Sequence, residues 1–417
     1  MKSLTSISEI LHNWPEIKDS TSKLFDSATT FPAQISGIQG SLFTFYTSEI
    51  CKQNHFKALQ ATQYSASSKS APEYTLFSSD LFIVTPTESE AQEIFNDFST
   101  IFPEAEVYLF PTWGTLPYRP ATKGSVTFGK RAGVLSKILS KQNTINFKDN
   151  PRIFILTQRT FISKLPNPAY LKSLSFKLFK GDKLETTSIA EKLSKIGYTR
   201  VPKVNVRGEF SLRGEVLDIF LPCDENATRI IFDFDEIEAF KEFETDSQVT
   251  VGSKESILIY PMKEVIWTDD FIKKADEKLT LYQNTAISTN NDDKNGAQSN
   301  QQNQPNHHNQ PSGEQNDDLP PVHLPFTKEA LDFKENLLTE LSVTGEGEGE
   351  EFLYQLLWDQ SYSFLDYLDK NSFVLFYNYD KLENAELIIK REFNKFYRTT
   401  REDLPILPPD EILLDFP

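Results

Sequence analysis

Long apolar runs are missing from this chain. No stretch of about 18 apolar residues occurs, so no segment reads as a membrane-spanning helix. Cysteine is scarce as well. Cys51 and Cys223 stand far apart without C-x-x-C spacing, which fits a reducing compartment or a secreted protein with few thiols. The amino-terminal MKSLTSISEILHNW lacks the apolar centre of a signal peptide, so a cytoplasmic location is expected. Basic charge is in deficit, with 43 Lys and Arg against 60 Asp and Glu and a net charge of −17. That balance argues against nucleic acid as the main partner, because phosphate backbones attract basic surfaces, and it suits a basic or polar protein partner. The five histidines have no Ser or Cys nucleophile context, so no acyl-transfer site is legible.

Aromatic residues are abundant, with 33 Phe and 15 Tyr, enough for sizeable cores. A chain of 417 residues is too long for one core, and two or three domains are expected. Residues 1–30 read as helical, with Leu4, Ile7, Ile10 and Leu11 on one face. The runs LFIVTP from Leu81, VYLFP from Val107 and IFILT from Ile153 read as strands. They alternate with helical segments such as Glu88–Phe98, the pattern of a parallel, doubly wound sheet.

FPAQISGIQG followed by SLFTFYTSEICKQ has the outline of strand, glycine turn and helix that builds a phosphate-binding loop. The chemistry of that loop is absent. Across Gly37, Gly40, Ser41, Leu42, Phe43 and Thr44, Leu42 takes the place of the second glycine and Phe43 that of the lysine. No cation meets the β- and γ-phosphates, and a Cβ intrudes where backbone must approach closely. Near the end, SFVLFYNYD (Ser372–Asp380) reads as a buried strand followed by one carboxylate, too few to hold Mg²⁺ and orient water.

Between these segments, Glu209–Pro222 alternates apolar and polar residues, breaks at Gly214 and resumes as a second strand. Thr228–Phe234 and Ile237–Phe240 add a further pair around a tight acidic turn, giving a small antiparallel meander with one wet face. Arg213 shares the parity of Ser211 and should lie on that face. Ser188 and Glu191 read as a capping box for the helix ending at Gly197. Further on, 16 of the 37 residues in Gln283–Leu319 are Asn or Gln, the composition of a disordered surface insertion in which His307 and His308 are spacer residues rather than ligands. GEGEGEE (Gly345–Glu351) reads as a flexible acidic loop, and Trp113 and Tyr118 as packing residues in a Pro- and Gly-rich connector.

Gly197–Pro222 (GYTRVPKVNVRGEFSLRGEVLDIFLP) and the following TRIIFDFDEIEAFKEF resemble the UvrA-binding domain shared by UvrB proteins and transcription-repair coupling factors. The resemblance implies an α/β chain: a degenerate RecA-like parallel-sheet domain without a working phosphate loop, carrying an inserted α+β antiparallel-meander domain. The expected boundaries are 1–165 and 262–417 for the two parts of the RecA-like domain, with the insertion 283–319, and 166–261 for the meander domain. UvrB proteins keep a phosphate loop of the type GVTGSGKT, where this chain reads GIQGSLFT, and a long tyrosine-rich hairpin, where it has the short FPTWGTLPYRP. The coupling-factor amino-terminal module is therefore the better match, and a UvrB-like ATP-dependent helicase fragment the rival.

The implied partner is UvrA, met by Arg200, Arg213 and Phe220; a further arginine of UvrB proteins falls on Ser211 here. RNA polymerase and DNA would be reached only through downstream motor and polymerase-binding domains that this sequence lacks, and no cofactor is implied for the chain itself. The loop substitutions generate a direct expectation. Isothermal titration with Mg-ATP should give no heat of binding, and micromolar binding or turnover above a buffer blank would contradict the reading.

Overall fold

The computed structural model describes residues 7, 10–26, 29–67, 80–114, 116–140, 150–298, 323–369 and 372–416. In chain order its strands are β1 (Asp80–Thr85), β2 (Glu106–Phe110), β3 (Arg152–Thr157), β4 (Phe176–Phe179), β5 (Thr199–Arg200), β6 (Glu209–Arg213), β7 (Val216–Ile219), β8 (Ala227–Asp233), β9 (Glu236–Phe243), β10 (Thr250–Lys254), β11 (Ser256–Ile259) and β12 (Phe373–Phe376). The chain divides into two compact units.

The first unit comprises Met1–Pro111, Lys141–Phe161 and Leu368–Ala385. Its four strands form a parallel sheet in the order β12-β1-β3-β2. β1 is buried along its whole length, as its unbroken apolar run demands of a central strand covered on both faces. Asp80 at its start is buried too, held by Arg152 of β3 through Nη2 to Oδ2 at 2.6 Å and Nε to Oδ1 at 2.8 Å. The helix Glu88–Ile101 is capped by Thr87, whose hydroxyl accepts from the Glu90 N–H, and it buries Ala91, Ile94 and Phe98 in the core with Leu81, Ile83, Ile153 and Ile155. The final segment of the chain returns to this sheet, because β12 pairs with β1 from Leu81–Phe373 to Val84–Phe376. β12 is only half-buried, not the buried strand its composition suggested, since it forms the sheet edge.

The second unit comprises Thr112–Ser140, Ile162–Tyr367 and Glu386–Pro417. Its main sheet has the order β10-β9-β8-β7-β6-β5 and is antiparallel except for the β5–β6 pair. One face carries Phe210, Leu217, Ile219, Ile230, Phe232, Ile237 and Phe240, covered by Ile189, Ala190, Leu193 and Ile196 from the helix Thr186–Lys195 and its end. That helix is not opened by a Ser188–Glu191 capping box. It begins at Thr186 after Glu185, which makes no side-chain cap, so both residues lie inside it. The helix Val126–Leu139 meets the same unit through small residues. A Cβ on Gly133 would stand 2.5 Å from the Cys223 sulfur and 2.7 Å from the Tyr260 ring, and one on Gly129 would stand 2.7 Å from Pro222.

Three further expectations need correction. Phe31–Gly40 forms no strand, so the glycine turn has a helix after it, Ser41–Ser67, but no strand before it. The helix Asp269–Gln298 runs well into the Asn- and Gln-rich stretch, because Leu279 and Ala286 are still buried against the core and carry the helical register onward; residues 299–319, including His307 and His308, lie outside the described residues. Of residues 1–30, Pro15–Leu24 is a helix, but Ile7 and Ile10 of the expected apolar face are exposed, and 1–6, with Leu4, 8–9 and 27–28 lie outside the described residues.

The acidic GEGEGEE stretch is built into the interior at its end. Glu350 is buried and accepts from Lys263 Nζ at 3.0 Å, Tyr354 Oη at 2.8 Å and the Gly347 N–H at 2.9 Å. Glu351 accepts from the Ala121 N–H at 2.7 Å, while its other oxygen is buried without a partner among the described residues. Nearby, Arg131 and Glu264, both 2% exposed, pair at 2.5 Å, and the Arg131 guanidinium stacks 4.3 Å from the Trp113 ring. Alternation of Gly and Glu gives no sign of this, since burial of the two glutamates depends on Lys263 and Ala121, distant in sequence.

Burial pushes the Glu351 carboxyl up to about 8 from its ordinary 4.5, the Ala121 N–H opposing only part of that shift. The folded state therefore holds this proton more tightly than the unfolded chain, and the contribution is full below pH 4.5 and lost as pH rises through about 8. Glu351→Gln keeps the acceptor for Ala121 and cannot ionise. Melting curves of variant and wild type should agree near pH 4.5 and diverge by pH 8 in favour of the variant. A constant difference across that range would show that Glu351 is charged in the folded protein.

Candidate functional site

A buried carboxylate organises the outer face of the six-stranded sheet. Ser211, Asp218, Arg229 and Lys241 stand in one row across β6, β7, β8 and β9. They point away from the Phe210–Leu217 face, since side chains alternate along each strand. Asp218 is 1% exposed. Its Oδ1 accepts from Arg229 Nε at 2.7 Å and its Oδ2 from Arg229 Nη2 at 2.9 Å, a bidentate fork. The same Oδ2 accepts from Arg213 Nη2 at 2.9 Å. The hydrogen bonds that Arg229 donates to Asp218 raise its pKa further, so this guanidinium is a permanent cation. Gln248, at φ +60°, accepts from Arg229 Nη2 at 3.2 Å and donates to the Thr245 carbonyl, closing the far side of the fork.

The same face carries a second, small core. Val204, Phe220, Ala227 and Phe243 are buried together with Val201 against them. Two guanidinium groups lie over its rings: Arg207 sits 4.8 Å from the Phe220 centroid and Arg229 4.6 Å from that of Phe243. Such stacking leaves the edge N–H groups of an arginine free to bond in the ring plane or outward. Arg207 Nε donates to the Asp224 carbonyl at 3.1 Å.

The residues singled out from the sequence fall at three different depths. Arg213 is half-exposed with its side chain 53% accessible, on the face its parity predicted. Arg200 is exposed on the edge strand β5, and pairing with Phe210 puts it in the inward-pointing row, so strand register does not bring Arg200 and Arg213 onto one face. Phe220 is 6% exposed in the small core and covered by Arg207, so it packs there and does not project as an anchor. Ser211 is likewise buried, its hydroxyl donating to the Pro202 carbonyl at 2.9 Å, which leaves no room for an arginine at that point. Sequence reasoning missed Asp218, Arg229 and the stacking of Arg207. An Asp inside the apolar run VLDIF was the available signal, because a carboxylate buried in a sheet needs a cation.

The glycine turn at Gly37 and Gly40 is a separate feature of the first unit. Gly37 and Gly40 have φ of +82° and +57°, Ser41 opens the following helix, and Leu42 is half-buried. Phe43 is half-buried with its ring 4.6 Å from that of Tyr377, and Thr44 is buried with its hydroxyl 3.5 Å from Asp97 Oδ2. Phe43 thus serves packing at the position where a phosphate-binding loop would hold its lysine. Among the described residues no group of three His, Cys, Asp or Glu side chains is placed to hold a metal ion.

Truncation separates packing from presentation. Phe220→Ala should cost roughly 3–5 kcal/mol of stability, the range for an aromatic lost from a core. Arg213→Ala should cost less than about 1 kcal/mol, because Asp218 keeps both bonds from Arg229. Denaturant melts of the two variants check this, and equal losses would contradict the burial difference.

Residues 176–265, which contain β4 to β11 and the arginine face, match the family model described as the UvrB interaction domain. Over 193 residues, 46% of this chain, the sequence is 28% identical to a transcription-repair-coupling factor of Rickettsia bellii, covering 16% of that protein. A coupling factor of Borreliella burgdorferi is 27% identical over 200 residues, with 48% of this chain and 17% of the relative covered. UvrABC system protein B of Thermotoga neapolitana is 25% identical over 210 residues, covering 47% and 30%. The matched stretch is thus less than a third of each of these relatives. Built around Asp218 and its arginines, residues 176–265 match the UvrB interaction domain, and over a little under half its length the chain is similar to transcription-repair-coupling factors and UvrABC system protein B.

Proposed function

We propose that this chain is the recruitment module of a transcription-repair coupling factor, and that the outer face of its antiparallel sheet docks UvrA. The observation that carries the reading is the exposed Arg213, held on the buried Asp218 within the segment that matches the UvrB interaction domain. A guanidinium fixed in this way loses little conformational freedom on binding, and a desolvated arginine is a common hot-spot residue. In the full-length parent, an ATP-dependent DNA translocase, this module would bring UvrA to RNA polymerase stalled at DNA damage. RNA polymerase and DNA would be engaged by parts beyond this sequence. The chain itself acts without a nucleotide cofactor and catalyses no reaction, in the cytoplasm. The UvrB-like alternative, an ATP-dependent damage-binding helicase, is disfavoured by Phe43 in the lysine position, with its ring against Tyr377.

The test is the affinity for UvrA of wild type and Arg213→Ala by surface plasmon resonance. Alanine is preferable to a charge reversal, since a glutamate at 213 would place a second carboxylate beside Asp218 and unsettle the fold. A loss of at least tenfold is expected, equivalent to about 1.4 kcal/mol. Unchanged affinity with matched melting curves would refute this placement of the site.

A further inference from the structure

Arg213 does not stand alone. It shares one oxygen of Asp218 with Arg229, so the two guanidinium ends lie side by side, and Arg229 and Arg207 are each stacked on a ring of the same small core. Asp218 and Gln248 occupy the inner donors of Arg229; the Nε of Arg213 and one Nη of each of Arg213 and Arg229 have no hydrogen-bond partner among the described residues. One carboxylate set against two guanidinium groups leaves net positive charge here, on a chain that is otherwise strongly acidic.

We infer that Asp218 is a positioning residue that presents Arg213 and Arg229 as a two-guanidinium clamp, with Arg207 beside it, for the carboxylates of an acidic segment on the partner. This deepens the proposed UvrA reading and rests on it for the partner's identity, though not for the clamp itself. Three features support it. Asp218 is almost fully buried, so it cannot be a contact itself and acts only through the arginines it holds. Its geometry toward Arg229 is bidentate, which fixes the plane of the fork as well as its place. The backing of Arg207 and Arg229 is aromatic, which assigns Phe220 and Phe243 the role of platforms for cations. Planar forks match carboxylate geometry, and the net charge of −17 makes a long phosphate backbone a poor occupant.

The experiment compares wild type, Asp218→Asn and Arg229→Lys. Arginine Nε–Hε resonances are followed by NMR on titration with a hexaglutamate peptide and, separately, with a single-stranded oligonucleotide. In wild type the Nε–Hε signals of Arg207, Arg213 and Arg229 should move together and saturably with the peptide. In Asp218→Asn the response should weaken at least tenfold, although Arg213 and Arg229 are both retained, an effect that a purely structural Asp218 would not produce in a folded variant. Arg229→Lys keeps the charge and Asp218 while losing the fork, and should weaken binding comparably; it serves as the test if Asp218→Asn does not fold. Equal titrations in a folded Asp218→Asn and wild type, or a response to the oligonucleotide but not the peptide, would overturn the inference.

UvrA binding, measured on the same proteins, separates the two claims. Loss of the peptide response with UvrA affinity intact in Asp218→Asn removes the clamp and keeps the partner. A wild type that binds peptide at the clamp but not UvrA removes the partner and keeps the clamp.

Discussion

A carboxylate buried in the middle of a sheet is tolerated only with cations against it, and the outer face of this domain is arranged around that need. Asp218 sits on β7, and the strands on either side each contribute an arginine to it, Arg213 from β6 and Arg229 from β8. Loss of Arg229, the less exposed of the two, would leave the buried Asp218 charge with only the exposed Arg213 against it. The arrangement thus locks the register of three neighbouring strands by charge as well as by backbone bonds. The exposed member of the set, Arg213, is held by the same buried carboxylate.

The sheet divides its two faces between different tasks. The inner face is an ordinary apolar core under the helix Thr186–Lys195. The outer face has a miniature core of Phe220, Phe243, Val204 and Ala227 with arginines over its rings, a surface that is rigid and cationic together. The parallel sheet of the first unit makes a contrast. Its glycine turn keeps Gly37 and Gly40 in left-handed backbone, yet Phe43 sets its apolar ring against Tyr377.

Much of this is legible in the order of the residues alone. Unbroken apolar runs identify β1 and β3, alternation identifies β6 to β9, and parity puts Arg213 on the wet face. The return of the last segment to the first sheet follows from strand and helix order. What is not legible depends on contacts between residues distant in sequence. Phe220 has the outward parity of Asp218, and nothing local reveals that Val204 and Arg207 fold over it. Glu350 and Glu351 look like solvated loop charges until Lys263 and the Ala121 N–H are brought to them. The Asn- and Gln-rich composition suggests disorder from Gln283, whereas the burial of Ala286 carries the helix past that point. Local pattern is sufficient for strands and parity, but it is insufficient for cover, which is a property of the tertiary fold.

The central claim is that the outer face of the antiparallel sheet is the working surface of this chain and that the glycine turn of the parallel sheet is not. Hydrogen exchange measured with and without UvrA addresses both halves at once. The account predicts added protection in 204–220 and 227–231, around the arginines and Asp218, with no change across 37–44. Protection of 37–44 in place of the sheet segments, or none anywhere in the chain at saturating UvrA, would contradict it.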